Sequence, residues 1–291
     1  MKLAAASCAK LRDVNPQTAW TEMLHERPNV LLLLGDNVYL NNDGHTSPAA
    51  LAAELCLRYQ EQRAEPGLAA LLADIQSRGG AVVALYDDHD FLGNDRCGGD
   101  EVVALREAAR AELIRAFAPQ TTGGEIYSAQ RFGLVDLVVL DTRFYRQSAA
   151  TSGADPNGML GAAQWAWLEQ VVASAKAPYL LLASSTTLHN FGHQSWEHYP
   201  AAFKRLTTLL QRRSGALVVS GDLHSNAAYD DSGVIEIVTS AVARRGALFK
   251  AERKNYAILD FSSDAVHVVQ RSLKVGSRFD FSIALSHWTL P

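Results

Sequence analysis

Five short clusters of reactive side chains stand where apolar runs of this chain stop. In Gly35-Asp36-Asn37-Val38-Tyr39 a glycine, which permits a tight turn, precedes a carboxylate able to reach one cation or bridge two. Asp87-Asp88-His89-Asp90 sets ionisable groups side by side. Adjacent carboxylates repel one another unless cations or donors compensate. Ser220-Gly221-Asp222-Leu223-His224 places a hard oxygen donor two residues from an imidazole. Both point to one side if the segment is extended, and the two donor types suit different metals. Asp141-Thr142-Arg143 offers a guanidinium, which can grip a phosphate with two parallel hydrogen bonds. Ser7-Cys8 adds a thiol.

Each cluster also has a plainer reading. Gly35-Asp36 taken alone is better read as a turn capped by its own aspartate. Arg143 and Asp141 suit a surface pair, Asp222 and His224 a hydrogen bond inside a turn, and Cys8 a small inert hydrophobe. The acidic run from Asp87 to Asp90 resists such an account, because it follows so apolar a stretch. Order and shared position carry more weight than any one cluster.

The elements that position these clusters are short apolar runs: Leu3–Ala6, Val30–Leu34, Ala81–Leu85, Leu134–Leu140, Tyr179–Ala183 and Ala216–Val219. Runs of this kind that end abruptly are expected to be buried strands. The polar clusters then lie at the strands' carboxyl ends, where open α/β sheets bind ligands. Helices are expected over Ala49–Arg63, with Pro48 at its start, Leu68–Arg78, stopped by Gly79-Gly80, Glu101–Phe117, Ala162–Ala175 and Pro200–Arg213. Val234–Val238, Tyr256–Phe261 and Ala265–Arg271 suggest strands joined by turns, an antiparallel end to the sheet system. Asn41–Ser47, Gly93–Gly99 and Gly153–Gly161 look irregular. No boundary divides the chain, and one α/β domain over residues 1–291 is expected.

Composition narrows the function classes. With 27 basic and 31 acidic residues the formal net charge is −4, so a duplex nucleic-acid footprint is not expected. The three cysteines, Cys8, Cys56 and Cys97, lack the paired spacing of a disulfide framework or a cysteine-type zinc site. No apolar run reaches membrane-spanning length. The stretch between Lys2 and Cys8 is too short for a signal-peptide core, so a cytoplasmic protein is expected. Lys204, Arg205, Arg212 and Arg213 read as a solvated helix face.

Taken together, the clusters resemble the PhoD-like alkaline phosphatase and phosphodiesterase family, a branch of the calcineurin-like metallophosphatases. That family carries Ser-Cys near its start, then Gly-Asp-x-x-Tyr, Asp-Asp-His-Asp/Glu followed by asparagine, Leu-Asp-Thr-Arg and Ser-Gly-Asp-x-His. All stand here in that order between Ser7 and His224. Departures are Tyr86, where the family often has tryptophan, Asn94-Asp95, where it often has two asparagines, and a chain short for the family.

The resemblance implies an α/β/β/α fold, a sandwich of two mixed sheets flanked by helices. It implies hydrolysis of phosphate esters, preferably diesters, by a hydroxide activated between two metals. Cys8, Tyr39 and His224 would hold Fe3+, Asp36 would bridge, and Asp88 and Asp222 would hold Ca2+, or Mn2+ or Mg2+ in its place. His89 would protonate the leaving group or stabilise the transition state, Arg143 would hold a phosphate oxygen, and Asn94 or Asp95 would assist. The expected partner is a small phosphate-ester substrate. Two rival readings remain: a nuclease or nucleotide phosphodiesterase using the same site, and a non-catalytic metal-binding or interaction protein of the same fold. His189 follows another apolar run, near the point where related metallophosphatases have a metal-binding histidine, although its surroundings match poorly. His25, His45, His193, His198, His267 and His287 have no ligand-like context.

Overall fold

In a computed structural model of the chain, the residues described are 1–41, 44–189, 195–230, 232–245, 252–272 and 276–291. His193 and part of Asn41–Ser47 lie outside them. The first three strands, β1 (Lys2–Ala6), β2 (Val30–Leu34) and β3 (Ala81–Leu85), run parallel in that order. The second sheet is built from β4 (Ser128–Phe132), β5 (Val135–Val139), β6 (Tyr179–Ser184), β7 (Ala216–Ser220), β8 (Ala227–Tyr229) and β9 (Ile235–Val238). A short ribbon pairs β10 (Arg244–Arg245) with β11 (Glu252–Arg253). The chain then returns to the first sheet through β12 (Asn255–Phe261), β13 (Ala265–Ser272) and β14 (Gly276–Ala284). The two six-stranded sheets have the orders β14-β13-β12-β1-β2-β3 and β4-β5-β6-β7-β9-β8.

Side-chain alternation stacks the layers. In the second sheet Leu137, Val139, Leu181, Ala183, Leu217 and Val219 face the first sheet's core, while Val138, Leu180, Leu182 and Val218 belong to a separate core. Two-faced burial explains why these strands read as continuous apolar runs. Helices α1 (Thr18–Glu26), α2 (Pro48–Arg63), α3 (Pro66–Ser77) and α4 (Val103–Phe117) supply Trp20, Leu51, Leu71 and Leu113 to the first core. After a single turn of helix, α5 (Ala149–Ser152), helices α6 (Gly161–Ser174) and α7 (Pro200–Gln211) pack Trp165, Leu168 and Leu206 on the outer face of the second sheet. The result is the expected helix–sheet–sheet–helix sandwich. All five residues of β2 are buried, and truncating any of its leucines to alanine costs about 2–5 kcal/mol.

Local chemistry sets the helix starts. Pro48 opens α2 behind Ser47, whose hydroxyl accepts the Ala50 N–H at 3.4 Å. Pro66 opens α3 behind Glu65, whose carboxylate accepts the Leu68 N–H at 2.8 Å. One expectation needs correction. β12, β13 and β14 are antiparallel neighbours, but the run Val234–Val238 becomes β9, which joins the other sheet parallel to β7. Among the described residues, no helix is long and apolar enough to cross a membrane.

Candidate metal centre

The carboxyl ends of β1, β2, β3 and β7 lead directly into Cys8, Asp36, Asp88 and Asp222. The four segments converge because β1, β2 and β3 are parallel neighbours, while β7 lies in the facing sheet and meets β1 through its end loop. Ser7 is tied as well to the loop after β9: its Oγ donates to the Thr239 carbonyl at 3.1 Å, and the Val242 N–H donates to the Ser7 carbonyl at 2.8 Å. Gly221 makes the approach possible, since a Cβ at that position would lie 2.7 Å from Ser7 Oγ.

Two donor groups form around one carboxylate. Cys8, Asp36 and His224 can each offer a ligand atom within 4.8 Å of the others, and so can Asp36, Asp88 and His89. Asp36 belongs to both. The Tyr39 hydroxyl donates to Asp36 Oδ2 at 2.8 Å, and the Cys8 thiol lies 3.5 Å from the same oxygen. The His89 N–H donates to Asp36 Oδ1 at 3.2 Å and Asp88 Oδ1 at 2.8 Å, while its ring stacks on Tyr39 with centroids 4.3 Å apart. The expected Asp36, Cys8, Tyr39, His224 and Asp88 are thereby brought together, whereas Asp222 belongs to neither group and His89 completes the second.

The backbone at these positions is strained. Cys8 (φ 58°), Asp36 (φ 51°), Asp222 (φ 64°) and His224 (φ 52°) are all left-handed. Non-glycine residues seldom adopt that conformation, at about 1–3 kcal/mol each, and such strain clusters at functional sites. It also overturns the extended reading of Ser220–His224. Asp222 and His224 do not alternate along a strand; each sits in a tight turn, with the His224 N–H held by Ser240 Oγ at 3.2 Å.

Electrostatics favour a bound cation. Burial raises the Asp36 carboxyl well above its ordinary range, and Asp88, Asp87, Asp90 and Asp222 add to the effect. Burial likewise raises Asp222, with Asp87 and Asp88 contributing. Burial and Asp36 raise both the Cys8 thiol and the Tyr39 phenol. Asp88 differs: burial pushes it up, but Arg143, His89 and the Asp95 N–H outweigh that and hold it below the usual range. One oxygen of Asp87, Oδ2, is buried without a hydrogen bond. Thiol, phenol, imidazole and clustered buried carboxyls are a donor set that metal ions fit, because a cation reverses the charge penalty on every member.

Arg143 is almost fully buried. Its Nε donates to Asp87 Oδ1 at 2.6 Å, its Nη2 stands 4.0 Å from Asp88, and its own N–H donates to Asp141 Oδ1 at 3.0 Å. It does not form the surface pair with Asp141 that the sequence also allowed. Asn94 is exposed and donates to Asp95 Oδ2 at 2.9 Å, while the Asp95 N–H fixes Asp88 Oδ2 at 2.7 Å. His189 is turned to Glu197, Nδ1 to Oε1 2.9 Å, and belongs to neither donor group.

Three residues escaped sequence reasoning. Asp90 is fully buried and accepts the N–H groups of Asp36, Asn37 and Asp87 at 3.1, 2.8 and 2.7 Å. Ser240 donates to the Cys8 sulfur at 3.0 Å. Arg244 lies 4.6 Å from the Tyr39 ring centroid and donates through Nε to His224 Nε2 at 3.4 Å. Asp90 was visible in the acidic run, but its role was not, because three of its partners are backbone N–H groups and the others are the side chains of Asn37 and Tyr59; Ser240 and Arg244 stand in no motif.

A profile of PhoD-like phosphatases matches residues 3–275. Among solved structures, a dimetal phosphatase of Danio rerio is 13% identical, with 98% of this chain and 99% of that one covered at a TM-score of 0.60. A purple acid phosphatase from yellow lupin (Lupinus luteus) seeds is 12% identical over 98% of this chain and 53% of that one, at 0.62. The anchor of the Plasmodium inner membrane complex is 14% identical over 99% and 90%, at 0.55. At these identities the three share the fold. No curated protein matches.

Proposed function

The chain belongs to the PhoD-like phosphatase family and is a metal-dependent phosphoesterase, and on that premise we propose that it hydrolyses phosphate diesters at a site holding two ions. The observation that carries this reading is the membership of Asp36 in both donor groups, as a shared ligand requires. Cys8, Tyr39 and His224 would hold Fe3+, since thiolate, phenolate and imidazole suit that ion. Asp88 and Asp222 would hold Ca2+, or Mn2+ or Mg2+, with Asp36 between. Bound there, the ions supply a water nucleophile active at neutral pH, a template for in-line displacement and neutralisation of the phosphate's charge.

The chain's own residues do the rest. His89 is fixed by its N–H to Asp36 and Asp88, and its imidazole stacks on Tyr39. It is the group to protonate the leaving oxygen. Arg143, held by Asp87, keeps the Asp87–Asp88 turn in place and sets positive charge behind the phosphate. Asn94, exposed at the rim, would meet the substrate.

The test is the hydrolysis rate of an aryl phosphodiester against its monoester, each with added Ca2+ and with a chelator. Chelator-sensitive turnover favouring the diester is expected. Turnover that resists chelation would overturn the metal-site reading, and monoester preference would overturn the substrate class.

A further inference from the structure

Beside the metal centre lies a cavity of about 300 Å3, lined by Ala9–Asp13, Val38–Asn41 and the α2 residues Arg58, Glu61 and Gln62. Tyr39 is the wall between the two. Its hydroxyl bonds to Asp36, while its ring lines the cavity. The loops that carry Cys8 and Asp36 continue directly into the residues of this second space, so a molecule held at the metal centre has it as a neighbour.

The cavity's charge is uneven. Arg58 is taken up by Glu61 and faces Glu54. Asp13 accepts from Arg244 at 3.0 Å and stands 3.7 Å from the Lys10 ammonium. Lys10 lies 5.3 Å from the Tyr39 ring centroid. Arg12 is different: it is exposed, and among the described residues its hydrogen bond goes to the neutral amide of Asn41. An arginine paired with an amide oxygen keeps its full charge for a ligand and has a fork that fits carboxylate or phosphate with two hydrogen bonds. The volume is that of a small organic substituent.

We propose that this cavity is a substrate subsite, receiving an organic arm of the phosphate ester that bears a second anionic group, carboxylate or phosphate, on Arg12 with Lys10 beside it. The proposal rests on the phosphoesterase reading for the presence of the ester at the metal centre. It narrows the substrate class to esters with a second negative charge a short spacer from the scissile phosphate.

Calorimetry on the metal-loaded protein tests it without turnover. Three non-hydrolysable phosphonate analogues with a neutral, a carboxylate and a phosphate arm of equal length are titrated into the wild type, Arg12→Ala and Arg12→Lys. At least one anionic arm is expected to lower Kd about tenfold or more relative to the neutral arm, as a charged hydrogen bond does. Arg12→Ala should bring that ratio near one and Arg12→Lys should keep part of it. The tighter of the two anionic arms identifies the natural group. A wild-type ratio near one, or a ratio that Arg12→Ala leaves in place, overturns the subsite. Turnover of the corresponding esters is scored separately: binding selectivity without hydrolysis would count against the enzyme reading and leave the subsite standing.

Discussion

Asp90 receives the backbone N–H of Asp36 at 3.1 Å, so the last member of the acidic run holds the loop that carries the carboxylate common to both donor groups. The same carboxylate takes the N–H groups of Asn37 and Asp87, tying the ends of β2 and β3 together beneath the donor groups. Asp90→Ala would leave those donors buried without partners, at about 1–3 kcal/mol each. A melting temperature lower by several degrees and weaker metal uptake are expected, read by thermal unfolding and metal titration. Unchanged metal affinity in a folded Asp90→Ala protein would deny Asp90 this positioning role.

Asp36→Asn should lose both ions together, because no other residue is shared between the donor groups. Elemental analysis after reconstitution should find neither metal at full occupancy, and turnover should fall by at least about a hundredfold. Full activity in Asp36→Asn would refute the two-ion site.

Tyr39 and Cys8 give a spectroscopic handle. Protein reconstituted with ferric iron should be coloured through charge transfer from phenolate or thiolate. Tyr39→Phe and Cys8→Ser should each change that band. A colourless, iron-free protein with full activity would remove iron from the assignment.

The metal-free protein should depend on pH with a definite sign. Burial raises Asp90 from 3.8 to about 7, and it raises Asp36, Asp87 and Asp222 in the same direction. The native chain thus keeps protons that the unfolded chain releases, and stability present below the unfolded pKa is lost as pH climbs toward about 7. Asp88, shifted down, opposes this in part. The urea midpoint of metal-free protein should fall between about pH 4 and about pH 7, and saturating metal should flatten the fall. A midpoint that rises across this range would contradict the charge arrangement.

Gly35→Ala should be severe. At φ 93°, a Cβ there would stand 2.6 Å from the Asp87 backbone nitrogen. Strain and overpacking together should cost at least about 1–3 kcal/mol and spread the Asp36 and Asp87 loops. Chemical denaturation and metal affinity would both register it.

Legibility of the fold followed burial. β2 and β3 read with their observed ends because all of β2 and the last three residues of β3 are buried and their apolar runs stop sharply. Helix α1 escaped notice: its first residue follows Gln17, which supplies no side-chain cap and is itself buried among Trp20, Gln62 and Glu65. Strand β4 alternates too weakly to read, being an edge strand with one face half covered. In the site, the donor residues showed through their types, whereas the conformations that aim them did not. The left-handed residues Cys8 and Asp222 stand where the β1 and β7 loops meet, a long-range contact that no local pattern records.

The donor group of Cys8, Asp36 and His224 joins residues 216 positions apart in the chain and belonging to opposite sheets. An ion seated there therefore acts as a rivet through the sandwich. The centre cannot exist until the first strand and the seventh have met, so ion capture reports completed tertiary assembly and not a local event. Withdrawing the ion should loosen the seam between the sheets before either sheet itself gives way, and hydrogen exchange at the strand ends would show that order.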